Sequence, residues 1–426
     1  MKDKILTVSI IGCGSRGAMA YGTVIDAQKE RFRIVSICDI SPERVERFSR
    51  EWGVDEKNAF TDEQMFFAKK RSDILVIATQ DRDHVRMCKR AFALGYTVLL
   101  EKPISPVKEE LYELLAAQKQ TDGRALVCHV LRYAPAFLKI KELLDAGAIG
   151  KLVSIDSTEQ VGYWHYAHSF VRGNWNNDSQ TSPMIMQKCC HDLDLLQYYI
   201  GAKCDSVYST GGLTYFTAAN KPDGAADRCK ECQYKNTCAF SSERLYIENW
   251  KANGCPADSW LYNVVCEDVP NTEEKLRKAY ENSGYGRCVF ACDNNVVDNQ
   301  TVHMQFGNGV TAMLHMVAFT EKMGRKMNFY GDGGEIKFDE TEGLFKVYSF
   351  GQQAVTYRFD ELLPERLKNS FGHGGGDYML IDSLYDMAAN GSPAPTDLES
   401  SVESHLIALA AEESRKSKKV VWVHCI

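Results

Sequence analysis

The 426-residue sequence has no surplus of positive charge and does not open on an apolar run of membrane-spanning length. Its 50 Lys and Arg stand against 57 Asp and Glu, a formal net charge of −7, which gives a nucleic-acid partner no support. The opening stretch "MKDKILTVSIIGCG" stays apolar for far fewer than the roughly 20 residues a bilayer requires. It runs straight into a glycine turn, so it is expected to be a first strand, not a signal peptide or a membrane anchor. An internal repeat and a disordered tail are also missing. The 15 cysteines are odd in number and mostly scattered singly through apolar segments, which suits a reducing cytoplasm and not a disulfide framework. What remains is an ordinary soluble composition, 44% hydrophobic and 25% charged, with apolar material enough for two cores.

In the first 130 residues, apolar runs alternate with helical patterns. "LTVSIIG", "FRIVSICDI", "DILVIAT", "YTVLLEKP" and "ALVCHVL" read as strands. "SPERVERFSREWG", "DHVRMCKRAFALG" and "PVKEELYELLAAQKQ" read as helices between them. Strands apolar on both faces and alternating with helices predict a doubly wound parallel sheet covered on both sides. The first turn carries Gly12, Cys13, Gly14, Ser15, Arg16 and Gly17, a G-x-G-x-x-G motif with a strand before it and a helix expected from about residue 16 to residue 28. There Gly12 permits the tight turn, Gly14 lets the backbone approach a pyrophosphate, and Gly17 lets helix and strand pack closely. Asp39 ends the second strand. Its carboxylate can accept bonds from both ribose hydroxyls and would repel a 2′-phosphate, which predicts NAD over NADP; Arg44 nearby weakens that preference.

The fifth strand ends on Glu101, Lys102 and Pro103. Ligands of such sheets sit at the carboxyl ends of the strands, so these residues are expected at the cofactor crevice. Proline is tolerated where the ladder stops and biases the residue before it toward an extended form. Lys102, partly desolvated beside the nicotinamide, is expected to have a lowered pKa and to contact a substrate hydroxyl or its proton, with Glu101 orienting it. "VSIIGCGSRG", "ATQDRDHV" and "LLEKPIS", in that order, resemble the glucose–fructose oxidoreductase / inositol dehydrogenase (Gfo/Idh/MocA) family. The resemblance implies NAD(P)-dependent redox chemistry on a sugar, sugar acid, cyclitol or related polyol, with Lys102 as a catalytic residue. Cofactor contacts are expected from Gly12, Gly14, Ser15, Arg16, Gly17, Asp39, Thr79, His84, Glu101 and Lys102.

After a Rossmann unit over residues 1–132, residues 133–426 are expected to form an α+β substrate domain. "TVHMQFGNGVTAMLHMVAF", "KMNFYGDGGEIKFDE" and "LFKVYSFGQQAVTYRF" each bracket a glycine turn with strand-like runs, which predicts hairpins of a large, mostly antiparallel sheet. The family implies that this sheet makes subunit contacts, hence a homo-oligomer, a dimer or tetramer. "SPMIMQKCCHDLDLLQYYIG" reads as one helix started by Ser182 and Pro183 and stopped by Gly201. Met184, Gln187, Lys188, His191 and Leu195 would share a face. His191 matches the family's catalytic histidine; Gln187 stands where the family often has an aspartate, so Lys188 is expected to replace that function or Asp192 to orient His191.

"EQVGYWHYAHSFVRGNW" is expected to be a substrate loop, with Tyr163, His165, His168 and Arg172 binding a polar ligand, along with Asp192. Arg172 suggests an anionic group on the substrate. Residues 211–298 read as an insertion, and "DRCKECQYKNTCAFSS" within it suggests a structural zinc held by Cys229, Cys232, Cys238 and Cys255. "HGGGDYMLIDSLYDMAANG" offers either a second anion-binding helix start or a loop beside the pocket. The leading expectation is a dehydrogenase acting on a secondary hydroxyl. The alternatives are a glycosidase, lyase or epimerase that recycles bound NAD through transient oxidation of a sugar, and a non-catalytic sensor that binds NAD or a sugar.

Overall fold

The computed structural model describes residues 4–257, 259–368 and 372–424. The first three residues of the opening stretch and Cys425 lie outside them. A six-stranded parallel sheet comes first: β1 (Leu6–Ile11), β2 (Phe32–Cys38), β3 (Ala59–Phe60), β4 (Ile74–Ile77), β5 (Thr97–Leu100) and β6 (Arg124–Val127). The strands lie in the order β3-β2-β1-β4-β5-β6, with the reversal of direction between β1 and β4 that opens a ligand crevice at their carboxyl ends. Central strands read as unbroken apolar runs because both faces are buried, as in Ile74–Ile77. The covering helices include α1 (Pro42–Trp52), α2 (His84–Ala93) and α3 (Lys108–Thr121). α1 starts on the Ser41 hydroxyl, which accepts the Arg44 N–H, and ends on Gly53 at φ 66°, as its sequence predicts.

The second sheet is mixed and mostly antiparallel. It comprises β7 (Leu152–Gln160), β8 (Cys204–Gly212), β9 (Asn299–Phe306), β10 (Thr311–Val317), β11 (Gly324–Gly331), β12 (Gly334–Asp339), β13 (Leu344–Ser349), β14 (Val355–Arg358) and β15 (Val421–Trp422). All three expected hairpins pair antiparallel, while β7 and β10 pair parallel. On the inner face lie α4 (Cys190–Ile200) and α6 (Leu398–Ser417). Between them in sequence, α5 (Gly376–Asn390) returns to the first sheet: Leu380, Ile381 and Leu384 join its core.

Two sequence expectations change. The helix expected from Ser182 to Gly201 is broken: a short turn, Met184–Gln187, is separated from α4 at Lys188 and Cys189. Ser182 does not cap it; its hydroxyl donates to Asp81 Oδ2 at 2.7 Å. The segment after Arg16 begins as a π-helix, Ser15–Gly22, before one α turn, Thr23–Asp26.

Polar groups buried between the two sheets fix their association. Arg132 binds Asp194 of α4 through Nε (2.7 Å) and Nη2 (2.6 Å), both side chains being buried. His405 of α6 accepts the Ile104 N–H at Nε2 (2.8 Å) and donates from Nδ1 to Ser401 O (2.7 Å). Replacing Arg132 with Met leaves the Asp194 carboxylate buried without its cation, which is expected to cost about 3–5 kcal/mol. The urea midpoint of Arg132→Met should fall and largely recover in Arg132→Met/Asp194→Leu; an unchanged single variant contradicts the assignment. A second expectation concerns acid. Burial, before any neighbouring charge, holds the pKa of His129, His165 and His191 well below the usual range and those of His168 and His405 at about 3. Below pH ~6.5 the unfolded chain takes up protons that these buried rings refuse. Stability is therefore lost as pH falls from about 6.5 toward the folded pKa values, by up to about 1.4 kcal/mol per pH unit for each ring. Asp192, raised by burial, works in the opposite direction. Denaturant unfolding at pH 7, 6 and 5 should show a progressive fall; a flat profile refutes it.

Candidate active site

The glycine turn after β1 is built as its motif requires. Gly12 has φ 90°, and a Cβ there would lie 2.4 Å from Ala78 O; a Cβ on Gly17 would lie 1.9 Å from Gly12 O. Gly14 is open, its nearest neighbour being Arg44 Nη1 at 3.8 Å. The N–H groups of Ser15 and Arg16 begin a helix and have no carbonyl behind them in the turn. That is a cradle of the kind a pyrophosphate fills. Asp39 closes one side: Oδ2 accepts the Cys13 N–H at 2.6 Å and Oδ1 the Ser41 N–H at 2.9 Å. Half-buried Thr79 follows β4, and its carbonyl is 3.2 Å from His84 Nε2. His84 is buried, with Nδ1 2.8 Å from Pro103 O. It braces the β4 and β5 ends against each other and is not free to hold a cofactor through its ring.

Arg16 is also otherwise engaged. Its Nε donates to Glu101 Oε1 at 2.9 Å, and its Nη2 to Tyr21 OH at 2.7 Å and to Asp377 Oδ1 at 2.5 Å. Glu101 further accepts the Tyr21 hydroxyl (2.6 Å) and the Lys102 N–H (2.6 Å). Burial alone would raise the Glu101 carboxyl; Arg16, Lys102 and the Tyr21 hydroxyl reverse the sign and hold it below the usual carboxylate range.

Lys102 Nζ donates to Gln187 O at 3.2 Å. The break at Lys188 and Cys189 leaves that carbonyl turned toward the β5 end. With its amide oriented to satisfy both partners, the Gln187 side chain donates to Asp81 Oδ2 (2.7 Å) and accepts from Trp175 Nε1 (2.5 Å). It is a bridge between the two sheets, which fits a residue unable to take a proton. His191, in the first turn of α4, is buried, and its Nδ1 has no partner among the described residues. Its imidazole stays neutral first through burial, then through the Lys102 ammonium, with His129, His373 and Arg325 adding to it.

Lys188 and Asp192 belong to a buried ion network. Lys188 Nζ lies 3.2 Å from Glu159 Oε1. Arg325 holds Asp192 Oδ1 from Nε (2.8 Å) and Glu159 Oε2 from Nη2 (2.9 Å). Arg325 was not anticipated, yet it had a signal: it shares the inward face of β11 with Met327 and Phe329, directly across from Glu159.

The aromatic stretch divides. His165 packs between Trp164 and Trp260, with Nδ1 3.1 Å from Met323 Sδ. Tyr163 lines a cavity of about 650 Å³ with Trp164, Arg244, Glu248, Trp260 and Glu321. His168 and Arg172 face the insertion too, but bury themselves in it. His168 stacks on Tyr285 and meets the Tyr246 hydroxyl at 3.1 Å. Arg172 donates to Arg287 O and Phe240 O, both at 2.7 Å. Its guanidinium fastens the insertion, so the role of binding a substrate anion finds no support in its placement. The zinc expectation fares likewise. Among the described residues no group of three or more His, Cys, Asp or Glu is arranged to hold a metal ion, and Cys255 is exposed while Cys229 is buried. The physical reason is that the insertion is not poor in apolar contacts: Phe216, Tyr246, Ile247, Leu276 and Tyr280 are buried in a core continuous with the second sheet.

Two family models match the chain. One, described as an oxidoreductase family, NAD-binding Rossmann fold, covers residues 6–129. The other, described as the oxidoreductase family C-terminal alpha/beta domain, covers residues 141–424. YteT of Bacillus subtilis (strain 168), by name an oxidoreductase, is 25% identical over 88% of each chain. Inositol 2-dehydrogenase 4 of Saccharopolyspora erythraea is 25% identical over 53% of this chain and 62% of its own length. The solved structure of a levoglucosan dehydrogenase in complex with NADH and levoglucosan aligns with a TM-score of 0.71 at 18% identity, covering 99% of this chain and 100% of the other; at that identity the likeness is one of fold. With one model on each sheet's domain and the cradle, the strand-end lysine and the α4 histidine all in place, the chain belongs to the Gfo/Idh/MocA oxidoreductase family.

Proposed function

We propose that the protein is an NAD-dependent dehydrogenase acting on a secondary hydroxyl of a sugar, sugar acid or cyclitol. The observation that carries this reading is the placement of Lys102 and His191: Lys102 ends β5 at the crevice and donates from Nζ to Gln187 O, the carbonyl four residues before His191, which opens α4. NAD, held at the Gly14 cradle and Asp39, would supply the hydride acceptor. Lys102 contacts the hydroxyl oxygen and stabilises the charge that develops on it, while the neutral His191 imidazole takes its proton. Glu101 anchors the Lys102 backbone. Lys188 supports the site through Glu159 and is not a second base. The names of the relatives, an inositol dehydrogenase and a levoglucosan dehydrogenase, point the substrate class the same way. We also place the protein in a reducing cytoplasm, consistent with its free thiols, as a homo-oligomer joined through the outer face of the second sheet, where Met313, His315 and Val317 are only half-buried.

Incubation with NAD+ and a panel of inositols, D-xylose, levoglucosan and uronates should yield NADH with at least one of them. Lys102→Met should lower kcat by about 10²–10⁴-fold while NAD binding stays within a few-fold. Asp39→Ser should narrow the preference for NAD over NADP. A panel with no NADH formed, or a Lys102→Met enzyme at full rate, refutes the reading.

A further inference from the structure

Before α5 the chain takes four consecutive left-handed conformations: Gly372 (φ 95°), His373 (φ 44°), Gly374 (φ 60°) and Gly375 (φ 88°). Three are glycines, for which this costs little; the fourth is a histidine, for which it costs about 1 kcal/mol or more. The backbone on either side of His373 is closely packed at two glycines. A Cβ on Gly372 would lie 2.0 Å from Asp377 Oδ2, and one on Gly376 would lie 2.4 Å from Val130 O. His373 Nδ1 stands 3.0 Å from Asp377 Oδ2. A carboxylate only accepts, so Nδ1 carries the hydrogen, and in the neutral ring Nε2 presents its lone pair. Nε2 has no partner among the described residues, and the side chain is 37% exposed. Asp377 is itself fixed: its other oxygen accepts Arg16 Nη2 at 2.5 Å, and Arg16 holds Glu101. A bonded chain therefore runs from His373 through Asp377, Arg16 and Glu101 to the backbone of Lys102. The His373 ring lies 6.1 Å, centre to centre, from His191.

A partly exposed histidine at a strained position, oriented by a buried carboxylate, with its ring 6.1 Å from the His191 imidazole, is an arrangement suited to meeting a ligand. We propose that His373 is a substrate-contacting residue, its Nε2 accepting a hydrogen bond from a hydroxyl neighbouring the one that is oxidised, and that Asp377 is its positioning residue. The inference rests on the dehydrogenase reading and narrows it to substrates with adjacent hydroxyls, a vicinal diol, so that His191 and His373 each take one.

The test uses the full-length protein with NAD+. For the polyol that yields NADH, His373→Ala should raise KM about tenfold or more, and His373→Asn, which tolerates the left-handed backbone, should fold at wild-type stability and show a similar KM. An analogue lacking the neighbouring hydroxyl should bind wild type and His373→Ala alike. Asp377→Asn should move KM in the same direction, with the His373 imidazole resonance shifted in the free enzyme. Unchanged KM in both His373 variants overturns the proposal. Should no polyol yield NADH, the dehydrogenase reading fails by itself. The His373 imidazole resonance, assigned by its loss in His373→Asn, then decides: a shift on adding myo-inositol or glycerol to the NAD+-bound protein upholds the contact, and no shift overturns it.

Discussion

The buried carboxylate of Glu101 is the constraint on which the site depends. It ends β5 inside the protein, accepts Arg16 and Tyr21 from the segment after the dinucleotide turn, and accepts the N–H of the lysine that follows it. An isolated carboxylate at that depth would be severely destabilised; a hydrogen-bonded one with a guanidinium on it is not. Because Arg16 also reaches Asp377 at the start of α5, one anion joins the glycine turn, Lys102 and a loop from the far end of the chain. The position of Lys102 is thus set by the same contacts that shape the dinucleotide turn.

The second constraint is the break between Gln187 and Cys190. A continuous helix would direct the Gln187 carbonyl along its axis to a backbone N–H four residues on. The break turns it toward Lys102 and places the Gln187 amide between Asp81 and Trp175. Loss of an aspartate at this position is therefore offset by a different role: the residue locks the first sheet to the second where the lysine and histidine must meet. A helix interruption at a functional site has a physical use here, in releasing one backbone acceptor.

Much of this was legible in the sequence for reasons of local physics. The glycine turn announced itself because only glycine takes φ 90° at residue 12 and only glycine fits against Gly12 O at residue 17. The lysine at the end of β5 was legible because strands buried on both faces leave charged residues no place but their ends. The three hairpins were legible for a different reason: their strands bury one face only, so buried and exposed residues alternate on either side of a glycine turn. What was not legible was long-range. Arg16 meets Asp377 across 361 positions, and no local pattern encodes that. The break at Lys188 and Cys189 was hidden because the apolar spacing of a helix survives a single interrupted turn. The cysteine spacing gained no support: C-x2-C is a metal pattern only when the ligands converge, and among the described residues no three or more His, Cys, Asp or Glu are arranged to hold an ion. Arg325 is the instructive miss: an arginine in register with Met327 and Phe329 on a strand's apolar face is a charge that must have a partner inside.

On the proposed dehydrogenase reading, charge balance explains why the proton work would fall to imidazole. Around the crevice the buried Arg325 and the half-buried Arg16, with Lys102 and Lys188, face Glu101, Asp377, Glu159 and Asp192. Each carboxylate within this set is tied to a cation or to donors. A proton taken up by Glu101 or Asp377, both held below the usual carboxylate range, would leave Arg16 without its counter-charge. The histidines are outside that set. His191 is neutral beside Lys102 because a second positive charge there is disfavoured by burial and by the ammonium alike. A neutral ring with an unpartnered nitrogen can accept a proton as the substrate oxygen becomes anionic, and the new cation then forms next to the negative charge that created it. In the proposed reaction, the same surroundings that keep His191 unprotonated at rest would make its protonation favourable only as the substrate oxygen becomes anionic, which is the condition a general base has to meet.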